Sequence, residues 1–467
     1  MVDSRPLFLG PRLRRLRREL GLTQAEMADD LGISSSYVAL IERNQRPATA
    51  NLLMKLAQSY DIDIAELAQE GAATRERLTA IMRDPVFDGA GIPSLEIEDF
   101  AASFPATAEA MLRLYSAYEK GQEALTDRTL SGDEAVSDPV FAVREFLSEN
   151  RNHFDGLEGA ASRVTRALPE ADTVRAAMTA RLRGHHGLRV RRLPAHVLGG
   201  SLRRYDRHRS EVLFADRMDG ASLTFQTALQ IVYLEMADDL DRLTADIFTQ
   251  PAAEELARRA LANYAAAALI MPYERFRKEA EARRYDVEAL ARHFAVSFEQ
   301  AAHRLTTLQR PGEEGVSFFF IRVDPAGNVS KRLDGAGFPF ARYGGACPLW
   351  SVHSVFRQPR RIVTQWLELP DGARFFSIAR TVTAGGGSWD TPIVERAVAL
   401  ACAASEAGRL VYADGVDPKR VAATPVGTTC RVCQRTRCAA RAVPPLGRDI
   451  LPDDYHRPGP ALNLAEG

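Results

Sequence analysis

Gly21-Leu22-Thr23-Gln24-Ala25-Glu26-Met27-Ala28-Asp29-Asp30-Leu31-Gly32-Ile33-Ser34-Ser35-Ser36-Tyr37-Val38 reads as two short helices joined by a tight turn. Thr23 followed three residues later by Glu26 is a capping box: the Thr23 hydroxyl accepts the N3 backbone N–H, and Glu26 reaches back to the cap. Leu22, Met27, Ala28 and Leu31 give this helix a buried face. Gly32 permits the turn, because glycine alone enters the left-handed region without steric cost. Ser34 then caps a further helix, Ser35 to Arg43, on which Val38 and Ile41 point to the core. Ser35, Ser36 and Tyr37 occupy its exposed first turn. Such a pair is a helix-turn-helix, and the N-terminal end of its second helix meets base edges in the DNA major groove.

Extended through Ile41-Glu42-Arg43-Asn44 and Arg46-Pro47, the stretch resembles the XRE-type family of repressors over the whole of a small domain. The resemblance implies double-stranded promoter DNA as partner. Ser34, Ser35, Ser36 and Tyr37 are then the base-facing candidates, and Gln24 and Arg43 the phosphate contacts. The chain's formal net charge of −1 hides a local excess of cations suited to phosphate. Arg5, Arg12, Arg14, Arg15, Arg17 and Arg18 face only Asp3 and Glu19 in residues 1–20.

At 467 residues the chain is long enough for about three domains. No apolar run approaches the ~20 residues of a membrane helix. The Arg-rich start lacks the apolar centre of a signal peptide. A cytoplasmic protein with no membrane partner follows as the expectation. In a reducing compartment, five cysteines argue for metal or cluster ligation over disulfides.

The expected fold is multidomain α+β. An all-α helix-turn-helix spans 8–68 and a helical linker region 74–138, ending in a polar stretch from Thr129 to Pro139. A mainly helical region with a small sheet spans 140–310, with strands near 188–193, 201–205 and 211–214 and helices near 222–247 and 251–271. From 311 to 443 the pattern becomes β-branched and aromatic. Residues 316–323, 348–356, 362–369 and 373–382 read as strands of an antiparallel sheet of about five. An Ala-rich helix is expected from Thr391 to Ala407, and a loosely ordered tail over 444–467.

Phe225 to Tyr233 followed by Ala262 to Pro272 resembles the ImmA/IrrE metallopeptidase family. That family carries H-E-x-x-H on the first of these helices, two His holding Zn²⁺ and the Glu activating water. Leu229, Gln230 and Tyr233 stand at those positions, and Leu261 replaces the later acidic ligand. None can ligate zinc or act as base, so no enzyme is expected. A peptidase acting on a repressor is the disfavoured alternative of another class.

Cys430-x-x-Cys433-x-x-x-x-Cys438 carries the sharpest chemistry in the chain. Two residues between thiolates let both reach one metal from a single turn. Cys347, between Gly344-Gly345 and Pro348, is the candidate fourth ligand, while Cys402 reads as a small buried hydrophobe. Four thiolates suit an Fe–S cluster or structural zinc, and spacing alone does not choose. Arg431, Arg435, Arg437 and Arg441 surround the loop and would offset its negative charge.

The order of these parts, with Gly344-Gly345-Ala346-Cys347-Pro348-Leu349-Trp350 before the cysteine loop, resembles the short-chain fatty acyl-CoA regulator (ScfR) family over residues 8–443. The resemblance implies a homodimeric or homotetrameric transcription factor whose C-terminal domain senses acyl-CoA. It also implies a 4Fe–4S cluster on Cys347, Cys430, Cys433 and Cys438. A redox- or iron-sensing factor whose signal is the cluster itself is the alternative within that class. For the CoA phosphates the candidates are Lys331, Arg332, Arg357, Arg360 and Arg361, and for an apolar slot Phe338, Phe340, Trp350 and Trp366.

Overall fold

The structure is a computed structural model. It describes residues 10–43, 45–46, 49–60, 72–82, 84–87, 90, 92–104, 106–116, 118, 121, 138–339, 347–386, 389, 391–418, 420–445 and 450–451. Arg5, Asn44, Pro47, most of the polar linker, Phe340, residues 344–346 and most of the tail lie outside the described residues.

Helices α1 (Gly10–Glu19), α2 (Gln24–Leu31), α3 (Ser35–Glu42) and α4 (Ala50–Tyr60) build the N-terminal unit. Both halves of the capping box form: Glu26 N–H donates to Thr23 Oγ1 at 3.2 Å and Thr23 N–H to the Glu26 carboxylate at 2.7 Å. Gly32 takes φ +58° as the turn requires. Leu13, Met27, Leu31, Val38, Ile41 and Leu56 belong to a core of this unit's own. Helices α5 (Ala72–Ile81) and α6 (Ser94–Ser103), with helical residues 106–116, enclose a second small core around Leu78, Ile97 and Leu112.

The middle region starts with α7 (Pro139–Glu149), α8 (Asp155–Arg166) and α9 (Val174–Gly184). Strands β1 (Arg189–Leu193), β2 (Arg203–Asp206) and β3 (Glu211–Ala215) form a small sheet in the order β1-β3-β2. Helices α10 (Gly220–Glu235), α11 (Ala237–Thr244), α12 (Pro251–Ile270), α13 (Tyr273–Ala282), α14 (Val287–His293) and α15 (Phe298–Leu305) complete it. The expected single helix over 222–247 is thus two, meeting at Met236.

The C-terminal sheet has six strands rather than about five: β4 (Phe318–Val323), β5 (Val329–Leu333), β6 (Val363–Glu368), β7 (Arg374–Gly385), β8 (Ile393–Ala403) and β9 (Thr424–Pro425). Their order is β5-β4-β8-β7-β6-β9, antiparallel throughout except for the parallel pair β6–β9. Two expectations are corrected. The Ala-rich stretch expected as a helix is strand β8. Its Ala397, Ala399 and Ala401 alternate onto one face, opposite Val323, Ile321 and Phe319 of β4. Small residues there leave room for the aromatic layer above, and this packing overrides the helix preference of alanine. Residues 348–356 are not a strand either. They form two 3₁₀ turns, Ser351–His353 and Val355–Arg357, that cap that same face. Gln365 pins them, accepting from Ser351 N–H at 2.6 Å and donating to the Leu349 carbonyl at 2.9 Å.

Both faces of the sheet are buried. Phe319, Ile321, Leu367, Phe375 and the three alanines face Phe338 and Trp350. Phe318, Phe320, Phe376, Ile378, Leu400 and Cys402 face the other way, into one continuous core with the middle-region helices. At that junction Arg304, fully buried on α15, meets the buried Glu158 of α8 through two charge-assisted hydrogen bonds of 2.6 and 2.9 Å. The Tyr264 hydroxyl donates to the same carboxylate at 2.6 Å, and Arg304 Nε to the Met271 carbonyl at 3.0 Å. Burial opposes the charge on Glu158, but Arg304 outweighs it and holds the carboxyl below its ordinary range.

Replacing Arg304 by Ala leaves a buried carboxylate unpaired and should cost about 3–5 kcal/mol. Urea unfolding of the full chain checks it: residues 140–443 should unfold at lower denaturant as one unit, while the helix-turn-helix transition stays in place. Because the Glu158 pKa is depressed in the fold, its contribution is present above the unfolded carboxylate pKa and is lost as pH falls through the folded value. Glu158→Gln should therefore flatten the acid limb of the stability profile.

Candidate functional site

Recognition-helix chemistry is set by its first turn. Ser34 Oγ accepts Tyr37 N–H at 3.2 Å and lies 3.1 Å from Ser36 Oγ, so Ser34 is engaged as the cap. Ser35 and Ser36 are exposed, and Tyr37 is half-buried against the core of this unit. Arg43 is exposed at the C-terminal end of α3. Arg17 does not join the expected basic patch. Its guanidinium binds the buried Glu42 at 2.6 and 3.2 Å and the Leu22 carbonyl at 2.9 Å. Gln24 Nε2 donates to Oε2 of the same carboxylate at 2.7 Å. Glu42 thus ties α1 and α2 to the recognition helix. Burial opposes its charge, but Arg17 and Gln24 hold the carboxyl below its ordinary range. Arg14 and Arg18 remain exposed. Sequence reasoning missed this pair because nothing local distinguishes Arg17 from its neighbours.

In the middle region the positions of a peptidase centre are filled otherwise. Leu229 and Gln230 are buried on α10, and Leu261 on α12. The Tyr233 ring has the guanidinium groups of Arg203 and Arg258 at 5.2 and 5.7 Å from its centroid. Two cations against an aromatic face repel a metal ion rather than hold one.

The four expected cysteine ligands come from two segments that meet beside the β6–β9 edge. Val426 N–H donates to the Glu368 carbonyl at 2.9 Å, and Arg435 Nη2 to the same carbonyl at 2.8 Å, which fastens the loop to β6. Cys347 lies just ahead of the 3₁₀ cap. Burial pushes its thiol up, the N–H groups of Gly427 and Leu349 donate to it, and the Cys430 and Cys438 charges push it up further. Cys433 is likewise raised by burial and feels Cys347, while the Arg435 N–H and the Arg441 charge act the other way. A Cβ on Gly427 would lie 2.8 Å from Cys433 Sγ, so only glycine lets the backbone pass there. Arg441, grouped above with the charge-offsetting arginines, is buried. It donates to the carbonyls of Cys430 at 3.0 Å and Cys433 at 2.9 Å, and to Arg435. It is the keystone of the loop, a role that its charge alone did not reveal.

All five cysteines are free thiols, and Cys402 is buried in β8 away from this corner. Among the described residues no three His, Cys, Asp or Glu side chains already form a ligand cage. The donor set fits a soft metal or cluster in its chemistry: four thiols with N–H groups aimed at sulfur. A cleft of about 260 Å³ between α5, residues 112–116 and the sheet reaches Cys433, with Arg77, Tyr115, Asp371 and Arg374 on its walls.

The candidate acyl-CoA residues do not share one site. Arg357, Arg360 and Arg361 are exposed together on the turn before β6. Phe338 and Trp350 fill the core, Trp350 donating to Ser377 Oγ at 2.9 Å, and Trp366 packs on the opposite face against Phe376. The expected aromatic slot is therefore sheet core.

Comparison with known proteins follows the same three-part order. Helix-turn-helix models match residues 13–67, the IrrE N-terminal-like domain 183–306, and the short-chain fatty acyl coenzyme A regulator C-terminal domain 307–460. A propionyl-CoA carboxylase regulator of Cereibacter sphaeroides is 38% identical over 97% of this chain and 98% of its own length. The chain belongs to the short-chain fatty acyl-CoA regulator family. The transcriptional regulators RamB and PrpR of Mycobacterium tuberculosis are each 36% identical over 96% of this chain, and over 97% and 94% of their own lengths. A solved Mycobacterium tuberculosis transcriptional regulator superposes with a TM-score of 0.66 at 36% identity, covering 70% of this chain and 99% of that one. This chain is a DNA-binding transcriptional regulator rather than an enzyme, and its IrrE-like region lacks the zinc ligands of a peptidase. No described helix is long and apolar enough to cross a membrane.

Tyr37→Ala should change which operator sequences are preferred, because Tyr37 stands in the first turn of α3, the end of a recognition helix that meets base edges. Removing Arg43 should weaken binding to every sequence and lower the salt slope by ~1 if one phosphate contact is lost. Binding titrations at several salt concentrations separate the two. An unchanged sequence preference in Tyr37→Ala contradicts the docking assignment.

Proposed function

We propose that this regulator controls genes of short-chain acyl-CoA metabolism, propionyl-CoA above all, and answers to such a thioester through residues 307–460. We further propose that Cys347, Cys430, Cys433 and Cys438 hold a 4Fe–4S cluster. What supports the cluster reading is the corner itself: two segments some eighty residues apart, one with Cys347 and one with Cys430, Cys433 and Cys438, meet beside the β6–β9 edge, where Gly427 passes against Cys433 and Arg435 fastens the loop to the Glu368 carbonyl. A cluster there supplies a redox-responsive cross-link between the 3₁₀ cap and the β9 loop. Arg441 and Gly427 shape the loop that receives it, and the cleft at Cys433 gives small oxidants an approach. The effector reading is supported by the family to which residues 307–460 belong and by the name of the Cereibacter relative. The exposed Arg357, Arg360 and Arg361 supply cations suited to CoA phosphates. Promoter DNA is read as double strand, and the functional unit is a homodimer or homotetramer in the cytoplasm, since one chain carries one recognition helix and paired half-sites need two.

Anaerobic isolation tests the cluster. The protein should be brown, with ~4 iron and ~4 sulfide per chain. Cys→Ser at any of the four positions should bleach it, and Cys402→Ser should not. Colourless protein with one zinc per chain would replace the cluster by a zinc site. Calorimetry with propionyl-CoA against free CoA tests the effector. Neighbouring acyl chains should differ in affinity by about 1–3 kcal/mol per methylene. Absence of binding by every short acyl-CoA would favour a redox sensor whose signal is the cluster.

A further inference from the structure

The chain has 60 basic side chains, and only five are lysines: Lys55, Lys120, Lys278, Lys331 and Lys419. Lys55 closes α2 by donating to the Leu31 carbonyl at 2.8 Å, and Lys278 is exposed on α13. Lys120 and Lys419 lie outside the described residues. Lys331 is different. It sits half-buried on β5, the edge strand of the large sheet, directly across from Arg322. The register puts its side chain on the face that carries Phe320 and Arg322. Over that face runs α15, whose Glu299 and His303 are four residues apart and share one side of the helix. The His303 ring stands edge-on to Phe320 at 5.9 Å.

Within this cluster the charges pair without Lys331. Arg322 takes Glu299 at 2.6 Å and Ser330 Oγ at 2.9 Å. Among the described residues the ion pair of Glu299 is with Arg322 and not with Lys331, which feels that carboxylate only through its charge. Burial, with the Arg322 charge adding to it against Glu299, brings its pKa down to about 8. His303, on the helix over this face, is driven well below its ordinary range by burial and by the charges of Lys331, Arg304 and Arg322, so its imidazole is neutral. An arginine here would stay charged at any physiological pH; a lysine can present a free amine.

We propose that Lys331 is a covalent acylation site for short-chain acyl-CoA thioesters, with His303 as the group that relays its proton. The Nζ lone pair attacks the thioester carbonyl carbon. The C–N bond forms, the C–S bond breaks, and CoA leaves as the thiolate. The proton lost by Nζ passes through His303 to that thiolate, giving CoA-SH and a neutral amide on β5. No oxidant, reductant or further reactant is required. The inference rests on the reading that acyl-CoA thioesters are this chain's effectors. It adds a covalent record of them at the junction of α15 and the sheet.

Full-length protein is incubated with propionyl-CoA and digested, and every lysine peptide is followed by mass spectrometry over time. Lys331 should gain a propionyl group about tenfold faster than the exposed Lys278 in the same sample, as a partly desolvated lysine nucleophile. His303→Gln should slow modification at Lys331 and leave Lys278 unchanged. Lys331→Arg should abolish that adduct while its thermal unfolding stays at the parent temperature. Modification of Lys331 no faster than Lys278, in protein whose operator affinity still responds to propionyl-CoA, overturns the acylation site and leaves the effector reading standing. Absence of both adduct and operator response overturns the two together. Slowing of both lysines by His303→Gln overturns the relay.

Discussion

The buried pair of Arg304 and Glu158 is the constraint on which the larger part of the molecule depends. Taking two full charges out of water is expensive, and it is tolerated here because the two charges meet bidentately and further hydrogen bonds satisfy the groups around them. Arg304 spends its guanidinium on both carboxylate oxygens, the Met271 carbonyl and Thr307, and Glu158 accepts Tyr264 as well. That geometry exists only when α8, α12 and α15 are in one arrangement. Since α15 leads directly into β4, the same geometry fixes where the large sheet begins.

One consequence is that the middle region and the C-terminal sheet behave as one body. Phe318, Phe320 and Leu400 share a core with Tyr264, Leu305 and Phe276, so neither half is complete alone. The sheet's other face is left to the aromatic layer of Phe319, Phe338, Trp350 and Phe375, and the cysteine corner sits beside it. The cysteine corner thus adjoins one face of the sheet, and the peptidase-like helices pack on the other. The helix-turn-helix has its own core and its own internal lock, Arg17–Glu42–Gln24. A signal that changes DNA binding has to alter how this unit is presented rather than how it folds.

Local signals made the helices and the turn of the DNA reader legible in the sequence, though not its Arg17–Glu42–Gln24 lock. The capping box, Gly32 and the Ser34 cap act over three or four residues and fold as they read. The missing zinc ligands were legible for the same reason, being a matter of spacing on one helix. What was hidden depends on distant partners. Strand β8 carries alanines that only the facing aromatics explain, and the Trp350 segment becomes a 3₁₀ cap because Gln365 holds it. Strands β5 and β9 are short edge elements with weak patterns of their own. Arg17 and Arg441 looked like surface charge, yet both are spent on buried groups that lie elsewhere in the chain. Spacing singled out three of the cysteines and neighbouring glycines the fourth, but how the two segments meet at the β6–β9 edge depends on Glu368 and Arg435. Phe338, Trp350 and Trp366 looked like the lining of a slot because the sequence does not show that they pack in the two cores of the sheet.

Coupling between the C-terminal region and the DNA reader is tested most directly by operator affinity. Fluorescence anisotropy of anaerobically prepared full-length protein, at fixed salt, is followed while propionyl-CoA or free CoA is titrated in. A shift of the operator Kd of about fivefold or more with propionyl-CoA, absent with free CoA, is the expected result for a coupled effector. Propionyl-CoA that binds while leaving the operator Kd unchanged would contradict it.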